Sequence, residues 1–202
     1  MKIKFIIIFL LILPLLISKS NYSKEFLIPW IYNLKKLEIK KIKKINTKKL
    51  EISNNSINSF LKELSFKESS GNWKSINEYG YIGLYQFGKI ALIDIDYTHI
   101  DVIKFKENPD IFPVSEQNKA IIKLLKKNSH YLRKYIKYHG EIINGVKITI
   151  SGMLASSHLI GVKSTKKFLK SNGKIDISDN NGIKCSDYMK HFSDYNLYIL
   201  LL

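Results

Sequence analysis

The strongest constraint on this 202-residue chain is an apolar stripe that ends on a carboxylate. Ile57, Phe60, Leu61 and Leu64 recur at i, i+3, i+4 and i+7, the period of one helix face. Glu68 stands four residues beyond Leu64, on the same face. Ser53, Asn54, Asn55 and Ser56 offer N-cap side chains upstream, and Gly71 offers a stop. The spacing therefore predicts a helix with Glu68 in its last turn, facing inward or into a cleft. Burial disfavours the charged form of a carboxyl and raises its pKa, and a carboxyl that stays protonated near neutrality can act as a general acid. An exposed helix-end glutamate satisfies the same periodicity, so spacing alone leaves both readings open.

The rest of the composition narrows the class. Hydrophobic residues make up 45% of the chain, enough for one domain with a core. Cys185 is the single cysteine, which excludes an internal disulfide framework and argues against a cysteine-built zinc site. His130 and His139 are near neighbours but belong to no HExxH pattern and read as solvated helix positions. The formal charge of +16 invites a nucleic-acid partner. Against that, Arg133 is the sole arginine, and base-edge and phosphate recognition favours the arginine fork. Nucleic acid is therefore set aside, while affinity for anionic polymers or membrane surfaces fits the charge.

Residues 1–20 read as an export signal. Lys2 and Lys4 form a basic start, Phe5 to Ile17 an apolar run interrupted by Pro14, and Ser18-Lys19-Ser20 a small-residue cleavage site. The run is short for a span, which needs roughly 20 residues. An uncleaved N-terminal anchor is the other reading. Either way the chain is expected in the periplasm or cell envelope, or secreted. Residues 21–52 form a basic segment, densest from Lys35 to Lys49, that reads as a linker or stalk, or as a stretch lying on a membrane surface.

From residue 53 to 202 a mainly helical domain is expected. A second helix is predicted from about Leu84 to Ile93, with a loop or small hairpin between it and the first, around Gly71, Tyr79-Gly80-Tyr81 and Gly83. Ser115 can cap a helix carrying Ala120, Ile121, Leu124 and Leu125. Tyr131 to Tyr138 forms a run ending at Gly140, and Ile142 to Ile150 alternates as a short strand or extended arm. Thr149 or Ser151 starts a helix that closes at Gly161, Ser164 starts another ending near Gly173, and Asp187 to Phe192 is a last short helix. Asp176, Ser178, Asn180 and Asp187 mimic a calcium loop, but Asn181 replaces the required glycine and the twelfth residue is not Glu, so no metal is expected. Cys185 has no base to activate it and reads as a structural thiol.

The order of parts resembles a known family. Glu68-Ser69 stands at a helix end, Gly83-Leu84-Tyr85-Gln86 follows a glycine-rich loop, and Leu154-Ala155-Ser156-Ser157-His158-Leu159-Ile160-Gly161 lies on a later helix. This resembles the lysozyme-like lytic transglycosylases, the group of the soluble lytic transglycosylases and goose-type lysozymes, over roughly residues 53–195. Their pattern has a catalytic Glu-Ser, a Gly-Leu-Met-Gln segment and an Ala-Tyr-Asn-Ala-Gly segment. Here Tyr85 replaces methionine, and His158 stands where a Tyr-Asn pair is usual. Phe168-Leu169, Gly173, Asp179-Asn180-Asn181-Gly182, Tyr188 and Phe192 also look like exported lysozyme-like proteins.

The resemblance implies a mainly α, lysozyme-like α+β fold with a small loop or hairpin region beside the cleft. It implies cleavage of the β-1,4 bond between N-acetylmuramic acid and N-acetylglucosamine in peptidoglycan glycan strands, without a cofactor. Glu68 would protonate the leaving oxygen, then as carboxylate help the muramyl 6-hydroxyl close an anhydro ring. Ser69, Tyr81, Tyr85, Gln86 and His158 are the expected substrate-binding residues, with Trp73 and Tyr79 crowding the same region as rings suited to sugar faces. Glu78, Asp94 and Asp96 are the available second carboxylates, Glu78 the best placed; one acting as partner would favour ordinary lysozyme- or chitinase-type hydrolysis. A non-catalytic wall-binding protein on the same fold is a further alternative.

Overall fold

The computed structural model describes residues 24–201, with backbone alone described at 24–34, 49 and 52–55. The export segment 1–20 thus lies outside the described residues. The chain divides into two units, Met1–Leu50 and Glu51–Leu202. It is mainly helical. The first helix, α1, spans Lys24–Ser69. The basic segment expected as a linker or stalk is therefore helical from Lys24 onward. Among the described residues no helix is long and apolar enough to cross a membrane. Between Lys35 and Leu50 the side chains of Leu37, Ile39, Ile42 and Ile45 stand in solvent beside the lysines.

Helix α1 passes through Ser53–Ser56 rather than starting there. Ser56 is engaged elsewhere: its hydroxyl oxygen accepts from the backbone N–H of Asn196 at 2.6 Å. The predicted stripe then enters the core. Phe60 and Leu64 are fully buried, with Ile57 and Leu61 half-buried. Phe60 meets Phe192 edge-on at 5.2 Å between centroids. The helix stops at Ser69 because Ser70 and Gly71 both take positive φ, and the Gly71 N–H closes back on the Ser65 carbonyl at 3.1 Å.

The remaining elements follow that stripe along the chain. They are α2 (Lys89–Asp94), α3 (Val102–Glu107), α4 (Val114–Leu132), α5 (Ile150–Lys170) and α6 (Cys185–His191). Short 3₁₀ turns occupy Pro109–Ile111, Arg133–Tyr138 and Tyr198–Leu201. Helix α4 buries Gln117, Ala120, Ile121, Leu124, Leu125 and Asn128, three or four residues apart, as an amphipathic face must. It begins just after Pro113, so Ser115 is not its cap. Thr149 does cap α5, accepting the Gly152 N–H at 3.0 Å. Helix α5 does not close at Gly161: the chain kinks there, with φ 78°, and resumes to Lys170, absorbing the separate helix predicted from Ser164. Helix α6 starts at Cys185, two residues before the predicted Asp187. The predicted strand at 142–150 is a hairpin, β1 (Ile142–Ile143) against β2 (Val146–Lys147), turned by Asn144-Gly145 with both φ positive.

Helices α5 and α6 approach closely at one point. A Cβ on Gly152 would lie 2.6 Å from the Met189 carbonyl oxygen, so only glycine allows this contact. Cys185 is buried among Ser156 and Thr165, and burial pushes its thiol up to about 12, consistent with an inert structural role.

Candidate active site

The segment Gly83-Leu84-Tyr85-Gln86 is not helical, contrary to its predicted place in a helix from Leu84. Helix α2 begins only at Lys89. Instead Ile82 and Phe87 exchange backbone hydrogen bonds at 2.8 and 3.1 Å, folding the four residues between them into a tight loop. Gln86 takes φ 48° to close it and donates from Nε2 to the Gly83 carbonyl at 2.9 Å. Gly83 is required because a Cβ there would collide with the Gln117 Oε1.

Gln117 is the buried anchor of this region. Its Oε1 accepts from the Leu84 N–H at 2.6 Å, while its Nε2 donates to the carbonyls of Trp73 and Phe112 at 2.9 and 2.7 Å. Three connections converge on one amide that is wholly out of solvent. A second tie comes from Ser69. Its hydroxyl donates to the Leu84 carbonyl at 2.9 Å, strapping the end of α1 to the loop. Ser69 therefore serves the backbone and is not among the residues lining the cleft at Glu68, where contact with substrate was expected.

Tyr85 also points away from the Glu68 cleft. Its ring is 2% exposed and turns into the core beside Phe87, and its hydroxyl donates to Asn118 Oδ1 at 2.6 Å. Burial pushes the phenol up to about 12. The sequence departure at this position thus concerns packing. Its backbone carbonyl, in contrast, reaches the site by accepting the Nε2–H of His158 at 2.7 Å.

These ties set the walls of a cleft of about 800 Å³. Glu68 lies on its floor with a side chain 12% exposed. The Tyr188 hydroxyl, from α6, donates to Glu68 Oε1 at 2.9 Å. His158, from α5 and 5% exposed, places Nε2 at 3.9 Å from the same oxygen. Because that nitrogen carries the hydrogen given to Tyr85, the ring is held in one orientation. His158 Nδ1 is buried without a partner among the described residues.

The electrostatics of Glu68 follow from this setting. Burial is the largest influence and holds its carboxyl above the usual range. His158 and the Tyr188 hydroxyl act in the opposite direction, and the charge of Asp179 adds to the rise. Tyr188 stays a donor because burial, with Glu68 beside it, pushes its phenol far up. With Oε1 already accepting, a proton on this carboxyl belongs on Oε2.

The cleft lining includes Tyr79, Tyr81 and Gln86 from one segment and Asp179, Asn180 and Asn181 from another. Asn77 shapes the first group: its Oδ1 accepts the N–H groups of Tyr79 and Tyr81 at 3.0 and 2.9 Å, presenting both rings outward. Tyr81 lies over Gly88, where a Cβ would strike the ring at 2.7 Å. The structure thus brings Glu68, Tyr81, Gln86 and His158 together and leaves Ser69 and Tyr85 behind the wall.

The candidate second carboxylates are elsewhere engaged. Glu78 is exposed beside Tyr79. Asp94 lines the cleft but is ion-paired with Lys127 at 2.6 Å, and Asp96 pairs with Lys123 at 2.8 Å. Asp179, which is not among the candidates legible in the sequence, is the carboxylate whose charge is felt by Glu68. Its Oδ1 accepts the N–H groups of Asn181 and Ile183 at 3.0 and 2.8 Å, so it also holds its own turn. An Asp-Asn-Asn-Gly run signals that turn without revealing what lies opposite. Tyr188, 120 residues from Glu68, carries no local signal of their contact.

Comparison of the chain with family models, with curated proteins and with solved structures returned no match.

Proposed function

We propose that this protein is an exported lytic transglycosylase that cleaves the N-acetylmuramic acid–N-acetylglucosamine β-1,4 bond of peptidoglycan on a lysozyme-like domain. The observation that carries this reading is Glu68: a buried carboxyl with a raised pKa, on the floor of an open cleft, oriented by a tyrosine hydroxyl. Protonated Oε2 donates to the glycosidic oxygen as the bond breaks. The resulting carboxylate accepts the proton of the muramyl 6-hydroxyl, whose oxygen closes on the anomeric carbon. The Tyr188 hydroxyl steadies the carboxylate between the two steps. Tyr79 and Tyr81 offer ring faces to sugar, and Gln86 offers amide polarity beside them. The reaction needs no cofactor. The proposal includes contact between the lysine-rich stretch of residues 21–52 and an anionic membrane surface.

Asp179 favours a second reading. A carboxylate coupled to Glu68 across the same cleft suits a hydrolase that activates water. Mass spectrometry of products released from purified sacculi separates the two. Anhydro-muramyl ends are expected; reducing ends would instead establish hydrolysis. Release of neither by the native chain would leave the wall-binding alternative.

A further inference from the structure

A strip of alternating tyrosines and lysines leaves one end of the cleft. It begins at Tyr131, which lines the cleft and lies in the last turn of α4. It continues through Tyr135 and Tyr138 on the 3₁₀ turn Arg133–Tyr138. In a 3₁₀ helix residues three apart eclipse one another. Tyr135 and Tyr138 accordingly stack, 6.3 Å apart and 26° from parallel.

Lysines from the second half of α5 lie against these rings. Lys166 Nζ sits 5.9 Å from the Tyr131 ring and 5.6 Å from that of Tyr135. One turn on, Lys170 Nζ lies 5.9 Å from Tyr135, and Lys137 lies 5.1 Å from Tyr138. Among the described residues none of these three ammonium groups pairs with a carboxylate. Lys127 differs, being held by Asp94. An ammonium resting on a ring face keeps its outward N–H donors, so the strip offers cations and aromatic edges in alternation.

We infer that this strip is an accessory binding track for an acidic glycan strand, continuing the path of a chain whose scissile bond lies at Glu68. Tyrosine edges and hydroxyls suit the rims and hydroxyls of sugar rings, and unpaired lysines suit the carboxylates that peptide stems bring to such a strand. Continuity with the cleft through Tyr131 gives the direction. A nucleic acid fits less well: Arg133 is the chain's sole arginine, and the guanidinium fork is the better phosphate ligand. The inference rests on the glycan reading of the cleft.

The test uses the full chain carrying Glu68→Gln, so that the ligand is not consumed, and sedimentation with two probes. Purified sacculi are the acidic glycan and colloidal chitin the neutral one. Lys166→Gln with Lys170→Gln should weaken sacculus binding by about fivefold or more, from two charge contacts, one half-buried and one exposed, and leave chitin binding unchanged. Tyr135→Ala should weaken both. Near-UV circular dichroism identifies any variant that misfolds, and the lysine pair, lying on the surface, decides the matter if Tyr135→Ala does. Sacculus binding unaltered by the lysine pair, equal losses on both probes, or no sedimentation of the parent chain would each overturn the track. Failure of the native chain to release soluble fragments, with the binding pattern intact, would overturn cleavage and leave the track standing.

Discussion

At the scale of the residue, Glu68 has more than one proton-linked consequence. Its folded pKa is raised by burial, so between the ordinary carboxyl pKa of 4.5 and the raised value the folded state holds more protons than the unfolded state. Stability therefore falls as pH rises through that window, because burying the carboxylate is the unfavourable state. Glu68→Gln keeps the acceptor for Tyr188 and removes the ionisation. It should melt higher than the native chain at pH 8 and at nearly the same temperature at pH 3, as read by thermal denaturation. On the proposed reaction, the same variant should lose glycan cleavage by about a hundredfold or more, the scale of general acid catalysis. Tyr188→Phe removes a hydrogen bond that lowers the Glu68 pKa. The high-pH limb of kcat/KM, where the acid is lost, should then move to higher pH. The stripe from Ile57 to Leu64 makes Glu68 legible in the amino-acid order itself. Its partners are less so: His158, Asp179 and Tyr188 stand out only through a resemblance, and nothing local to any of them tells that they meet at Glu68.

At the scale of the element, the cleft wall depends on polar groups that a hydrophobic pattern cannot reveal. Gln117 occupies a core position of α4 and there satisfies backbone groups of three separate segments. Gln117→Leu keeps the size and strips all three bonds. The expected loss is at least about 3 kcal/mol, from three buried groups left unsatisfied at about 1 kcal/mol or more each, measured by urea denaturation. Gly152 makes a second such point. Gly152→Ala forces α5 and α6 apart against a backbone carbonyl, and should cost about 1–3 kcal/mol, the range of an overpacked core. The loop at Gly83–Gln86 shows how a short segment misleads. Leu84, Tyr85 and Phe87 are apolar in a run too short for periodicity to decide between helix and loop, and the winning force is pairing of Ile82 with Phe87. The hairpin at 142–147 has a readable mark, Asn144-Gly145, that the alternation around it obscures.

At the scale of the whole molecule, the two units differ in how their helical structure is supported. In Glu51–Leu202, α1 is held by a buried stripe, whereas the Lys35–Leu50 stretch is solvated on its apolar side chains as well as its lysines. Isolated helix without packing is marginal. Hydrogen exchange should therefore show slow amides at 60–69 and fast ones at 36–48; equal protection of the two would contradict the difference. The mainly helical class is legible because most core helices carry their period openly, while continuity of α1 through Ser53–Ser56 is hidden by residues that elsewhere begin helices. The order of the parts along the chain also governs when the candidate site can be assembled. The acid arrives early, yet its tyrosine follows 120 residues later, and α1 is further clasped at Glu63 by His191 and at Ser56 by Asn196. A ribosome releases the carboxylate long before the parts that hold it. The contacts that hold Glu68 and its helix thus wait until residues 188–196 have emerged, so the last segments of the chain complete a site that α1 begins.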